Sequence, residues 1–228
     1  MPVNEIDDIY LVGKVGRPKD KPKTLGPDTG FSVVSDINWE TATVLVNIGS
    51  DGQAGGQTMA IQNNFTIGEP LSIAEYVVNS INSRNENGFW HVDVNPITEP
   101  REFWKIVSEN MGKITDLELE FIAPNIFNSK DETSKGLRRL RDEAHMQKID
   151  VRIKNDQGRL NPDIPPIRDS YEITAQGGGA AKLRSKKKVL YDSKNHAKSV
   201  FVEMPQDAVI TKDNPGLIRD LIARVFGA

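Results

Sequence analysis

Few residues in this chain have the types and spacing that catalysis requires. The three histidines, His91, His145 and His196, lie far apart, with no His-x-x-His or His-Glu pairing suited to a metal. His91 and Asp93, two apart on an expected strand, would act as a dyad only inside a polar cleft, and a packing histidine is the simpler reading. Asp116 with Glu118 or Glu120 sketches a nuclease-like acidic pair, yet no lysine follows at the spacing such sites use. Alternating acids are also what the wet face of a strand carries. No serine sits in a Gly-x-Ser-x-Gly elbow. There are no cysteines, which excludes disulfides, thiolate zinc sites, iron–sulfur clusters and cysteine nucleophiles. No catalytic residue, metal site or cofactor is assigned.

A different chemistry is suggested between residues 177 and 198. Gly177, Gly178 and Gly179 end one expected strand, and the next carries Lys182, Arg184, Lys186 and Lys188 at alternate positions. Side chains two apart on an extended chain share a face, so these four cations would align, with Lys187 opposite and Lys194 and Lys198 close by. Adjacent glycines can aim successive N–H groups into one concavity that holds an anion. A nest followed by a cationic strand would dock a phosphate and follow a nucleic-acid backbone without reading its bases. Only Tyr191 interleaves with the cations, so base stacking would be limited. The plainer alternatives are a glycine bend and an edge strand whose lysines merely resist aggregation.

Two other segments invite and lose a similar reading. Gly49–Gly56 is glycine-rich but lacks a Gly-Lys-Ser/Thr ending, and a strand rather than a helix is expected after it, so a hairpin turn is predicted. Arg138, Arg139 and Arg141 spread around a helix instead of aligning, because each residue advances about 100°.

The charge is unevenly distributed. The 228 residues carry a formal net charge of −3, but Lys182 to Lys198 holds seven Lys/Arg against one acid, Asp192, a net of +6. The remainder has 22 basic and 31 acidic residues, a net of −9. The overall balance hides a local cationic patch. No run of 18 apolar residues exists, and residues 1–8 lack a basic and then apolar signal region, so a cytoplasmic protein with no membrane contact is expected.

The elements that must position these residues read as α+β, with mostly antiparallel sheets and about four helices in two halves, 1–97 and 98–228. Strands are predicted at 6–15, 31–37, 41–48, 57–65, 89–94, 114–123, 148–154, 171–175, 182–191 and 199–203. Residues 17–30, with three prolines and four Lys/Arg, read as a mobile polar loop, and 160–170, with Pro162, Pro165 and Pro166, as an irregular crossing. Helices are predicted at 71–82, from Pro100 with Thr98 as cap, at 129–147, and after Pro215. The apolar face of the last helix, Leu217, Ile218, Leu221, Ile222, Val225 and Phe226, would pack on the sheet or serve a homo-oligomer.

The run Leu119-Glu120-Phe121-Ile122-Ala123-Pro124-Asn125-Ile126-Phe127, then a helix and a strand, then Ile173-Thr174-Ala175-Gln176-Gly177-Gly178-Gly179, a basic strand and Tyr191-Asp192-Ser193 resembles bacterial and prophage phage-exclusion, or abortive-infection, proteins. More distantly it resembles the RexA-type exclusion proteins of lambdoid phages, which bind DNA. The likeness covers about 103–203 at the level of pattern. It implies a cytoplasmic defence or exclusion factor that contacts DNA, with a dimer as one option, and it transfers no catalytic residues. The alternative is an assembly module whose basic strand meets an acidic protein.

Overall fold

The computed structural model describes residues 3–6, 9–49, 57–85, 88, 91–122, 143, 148–203 and 214–227. The described residues form an α+β fold with two four-stranded antiparallel sheets and four α-helices. They fall into two compact units. One contains the described residues up to Gly49, Gln57–Ser80 and those from Val200 on; the other contains Ile81–Ser199. The predicted halves, 1–97 and 98–228, are therefore replaced by units in which the chain's last helix belongs with its first strands. Sequence proximity could not show this, because the partners are some 200 residues apart.

In the first unit the sheet order is β1 (Val3–Ile6), β2 (Tyr10–Thr24), β3 (Val33–Asn47), β4 (Thr58–Ile61), followed by helix α1 (Pro70–Ser83). Val12 and Leu45, partners across the β2–β3 ladder, are buried with Ile218, Leu221 and Ile222 of the terminal helix, α4 (Pro215–Phe226). Tyr10 stacks on Phe226 with ring centroids 5.7 Å apart. Asn214 starts α4 by accepting the Leu217 N–H at 3.2 Å, and Pro215 occupies the first turn, where its missing N–H costs nothing. The apolar face offered for a homo-oligomer is thus used within its own unit.

β2 and β3 each run 15 residues without a break, where the sequence reading placed a loop at 17–30 and an interruption at Asn38-Trp39-Glu40. The reason is the direction of the N–H groups. Gln62 donates its N–H to the Thr43 carbonyl, and Asn64 donates its side-chain amide to the Thr41 carbonyl, so odd residues of β3 face away from β2. Ile48 and Ser32, at even positions, bond toward the β2 side at Ile9 and Leu25. Pro18 and Pro22 pair with Trp39 and Ser35, so both lie where a strand residue's N–H would point outward. Proline removes no ladder bond there.

In the second unit, β5 (Asp116–Ile122), β6 (Lys148–Lys154), β7 (Gly179–Ser185) and β8 (Lys188–Asp192) form a sheet of order β6-β5-β7-β8. Leu117, Leu119 and Phe121 of β5 and Leu183 of β7 are buried with Phe103 and Val107 of α2 (Pro100–Glu109) and Tyr171 and Ala175 of α3 (Pro165–Ala175). Phe103 stacks on Tyr171 with centroids 3.8 Å apart.

Helix α3 overturns the expected irregular crossing and strand at 160–175. Pro165 and Pro166 occupy its first turn, where N–H groups have no helical partner anyway, and Tyr171 and Ala175 then share one face at i, i+4. Thr98 does not cap α2; Glu99 holds that position, and the Thr98 hydroxyl is buried 3.3 Å from the Tyr171 hydroxyl. Residues 91–94 and 199–203 form no strand. The predicted turn at 49–56, apart from Gly49, lies outside the described residues, as do residues 89 and 90 and, apart from Glu143, the predicted helix at 129–147.

Candidate nucleic-acid interface

The basic stretch folds as a hairpin, not as one strand of aligned cations. β7 ends at Ser185, paired with Lys188, and Lys186-Lys187 is a two-residue connection in which Lys186 takes the left-handed φ of 53°. A register shift between Leu183 and Arg184 keeps Tyr191 opposite Leu183 on the core side and Asp192 opposite Lys182 on the outer side. Lys182 and Arg184 therefore share the outer face as expected, but Lys186, Lys187 and Lys188 sit at the hairpin's end.

The outer face is a lattice of opposite charges. Lys182 lies 2.5 Å from Asp192, and Arg184 lies 3.2 Å from Asp116 and 2.8 Å from Glu118. From β6, Arg152 reaches Asp116 at 2.7 Å and Lys148 reaches Glu120 at 2.7 Å. Burial pushes the Asp116 carboxyl up, but the Arg152 hydrogen bond and the charges of Arg152 and Arg184 outweigh it and hold the group below the usual aspartate range. The acids that sketched a nuclease are the counter-charges of this lattice. Cross-strand pairs of opposite sign are ordinary sheet stabilisation.

Among the described residues, the cations at the hairpin's end have no such partners. Lys186 donates its N–H to the Thr115 Oγ1 at 2.6 Å, and the Thr115 N–H donates to the Arg184 carbonyl at 2.9 Å. On the other side, Asn155 donates to the Thr115 carbonyl at 2.8 Å, Leu160 donates to the Ile114 carbonyl at 3.2 Å, and Arg159 bridges Ile114. Lys154 is opposite Asp116. These backbone bonds gather Lys113, Lys154, Arg159, Lys186, Lys187 and Lys188 at one end of the sheet. All six are exposed, and none makes an ion pair among the described residues. The only acids in these three segments, Lys113–Asp116, Lys154–Arg159 and Arg184–Lys188, are Asp116, already paired, and Asp156.

The rest of the predicted patch separates from this cluster. Lys194 follows β8 at the opposite end of that strand, exposed, its N–H donating to Asp192 Oδ1 at 3.2 Å. Lys198 is 3.4 Å from Glu99. Gly177 and Gly178 form no open nest. Gly177, at φ 90°, donates its N–H to the Thr174 carbonyl, and Gly178 donates to Ile173, so both close the C-terminus of α3. Gly179 already belongs to β7, and a Cβ there would come within 1.8 Å of the Glu120 carbonyl oxygen. The three glycines permit a helix and a strand to approach closely.

Sequence reasoning missed Lys113, Lys154 and Arg159. The available signal was the antiparallel pairing itself, which brings the start of β5 beside the end of β6.

Among the described residues no alternative centre competes. His91 Nε2 is 3.8 Å from Asp93 Oδ1, but both side chains are exposed. His196 stacks on Tyr191. Among the described residues no three His, Asp or Glu side chains cluster for a metal, and no helix is long and apolar enough to cross a membrane.

The fold and site define a small α+β protein with a lysine-rich hairpin end. The chain belongs to the family described as Domain of unknown function (DUF4747), which matches residues 58–214. No curated protein and no solved structure matches it.

Proposed function

We propose that this protein is a non-enzymatic, cytoplasmic DNA-binding component of a phage-defence or exclusion system, holding phosphate backbone without strong sequence readout. The observation that carries the DNA-binding reading is the convergence of Lys113, Lys154, Arg159, Lys186, Lys187 and Lys188 at one end of a sheet whose other cations are largely neutralised. Unpaired cations in such proximity release counterions when they meet phosphates, which supplies sequence-independent affinity. The defence role rests on the resemblance across residues 103–203.

The test is fluorescence anisotropy of a labelled DNA duplex titrated with the full chain, repeated with polyglutamate as competitor. Saturable binding that Lys186→Glu, Lys187→Glu and Lys188→Glu together abolish supports the reading. Binding that polyglutamate displaces at far lower charge concentration than unlabelled DNA, or that the triple variant retains, overturns it in favour of an acidic protein partner.

A further inference from the structure

The distal β2–β3 ribbon has two unlike edges, and one of them is an open template for another strand. In β3 the N–H and C=O of odd residues face away from β2, as the Gln62 and Asn64 bonds to Thr43 and Thr41 establish. Beyond Thr41 that outward row continues through Trp39, Ile37, Ser35 and Val33, with no strand beside it among the described residues. The opposite edge, on β2, places Pro18 and Pro22 in its outward row and so lacks two donors. An edge without proline, with both faces in solvent, is a pairing liability unless something covers it.

The side chains on the open edge point to the same need. Val33, Ile37 and Trp39 share one face and are 65%, 65% and 66% exposed. The cations Arg17, Lys19, Lys21 and Lys23 occupy the other face, where Lys21 is bonded to Glu40 at 3.0 Å. Residues 17–40 hold four basic and four acidic side chains, so the ribbon is neutral and poorly suited to a polyanion.

We propose that the open edge of β3 pairs antiparallel with the same edge of a second copy, about a two-fold axis at Asp36. This register alone engages the whole outward row: Val33 opposite Trp39 of the second copy, and Ser35 opposite its Ile37. The pattern is its own complement, which a symmetric dimer requires. Lys21, the ladder partner of Asp36, stands beside the two facing carboxylates. The prolines on β2 close the outer edges of the resulting four-stranded sheet, so pairing stops at two chains. This inference is independent of the DNA-binding reading.

Two variants test it on the full chain. Ile37→Pro removes one outward N–H, as Pro18 and Pro22 already do on β2, and leaves the β2–β3 ladder bonds in place. The wild type is expected to sediment as a dimer and Ile37→Pro as a monomer with an unchanged circular dichroism spectrum. The chain has no cysteine, so single cysteines report register directly. Residue 36 would face its own copy as a non-hydrogen-bonded pair with Cα atoms about 4.5 Å apart, within disulfide reach. Asp36→Cys should therefore oxidise to a covalent dimer, whereas Asn38→Cys, opposite residue 34, should not. A wild type that stays monomeric at every accessible concentration, or equal cross-linking at 36 and 38, overturns the proposal.

Discussion

Replacing Lys186 with glycine and Lys187 and Lys188 with alanine removes half of the unpaired cluster while preserving the turn. Glycine suits position 186 because φ there is 53°, a conformation that disfavours any Cβ. The expected effect follows from counting only cations that have no carboxylate of their own. Six such groups neutralising six duplex phosphates give a slope of log K against log salt of about −5, and removing three leaves about −3. Between 50 and 200 mM salt the wild type would then lose about 10³-fold in affinity and the variant about 40-fold. The assay is an anisotropy titration at five salt concentrations with circular dichroism as a check on folding. Lys182→Ala is the informative control. That cation is already 2.5 Å from Asp192, so its loss should leave the slope at the wild-type value. A slope unchanged in the triple variant, or reduced equally by Lys182→Ala, would refute the reasoning that paired and unpaired lysines differ in what they can bind.

Three further outcomes are expected from the second unit. Asp116 is held below the usual aspartate range in the folded chain, so its contribution is complete above the unfolded aspartate pKa, near 4, and is lost as pH falls through the lowered value. Asp116→Asn should thus lower the urea midpoint at pH 6 and converge with wild type on acidification; a gap independent of pH would contradict this. The buried hydroxyls of Tyr191, Tyr171 and Thr98 form a chain with separations of 3.0 and 3.3 Å, in which Tyr171 is the middle member. Tyr171→Phe strands both neighbours and should cost about 2–3 kcal/mol, whereas Tyr191→Phe strands neither completely and should cost about 1 kcal/mol, measured by urea unfolding followed through far-ultraviolet circular dichroism. Gly179→Ala would drive a Cβ to within 1.8 Å of backbone that no rotamer can relieve, so proteolysis should cut the variant's second unit well before the wild type's. Gly177→Ala, whose Cβ would meet nothing nearer than the Ile97 side chain at 3.5 Å, should be milder despite its positive φ.

Much of the fold was legible wherever periodicity and punctuation agreed. Helices form where they were read at 71–82, from Pro100 and after Pro215, and the strand read at 114–123 is β5, whose Leu117, Leu119 and Phe121 alternate into the core. Two of the failures share one cause. Proline was taken as a break, yet Pro18 and Pro22 lie inside a strand and Pro165 and Pro166 inside a helix's first turn. In each case the missing N–H had no partner to lose, and only register or helix position reveals that. The glycine run was likewise read as an anion nest because its freedom is visible in sequence, whereas its use, closing α3 against β7, is not.

The sequence by itself determined that there are no thiols, that the chain is acidic, and that a net +6 is concentrated between Lys182 and Lys198. It also determined the alternation that puts Lys182 and Arg184 on one face. Tertiary structure decided which of these charges remain available. Strand pairing sets Asp192, Asp116 and Glu118 against Lys182 and Arg184, and it brings Lys113, Lys154 and Arg159 beside Lys186, Lys187 and Lys188. A charge's capacity to bind depends on the carboxylates within a few ångströms of it, and those distances are set by the antiparallel register.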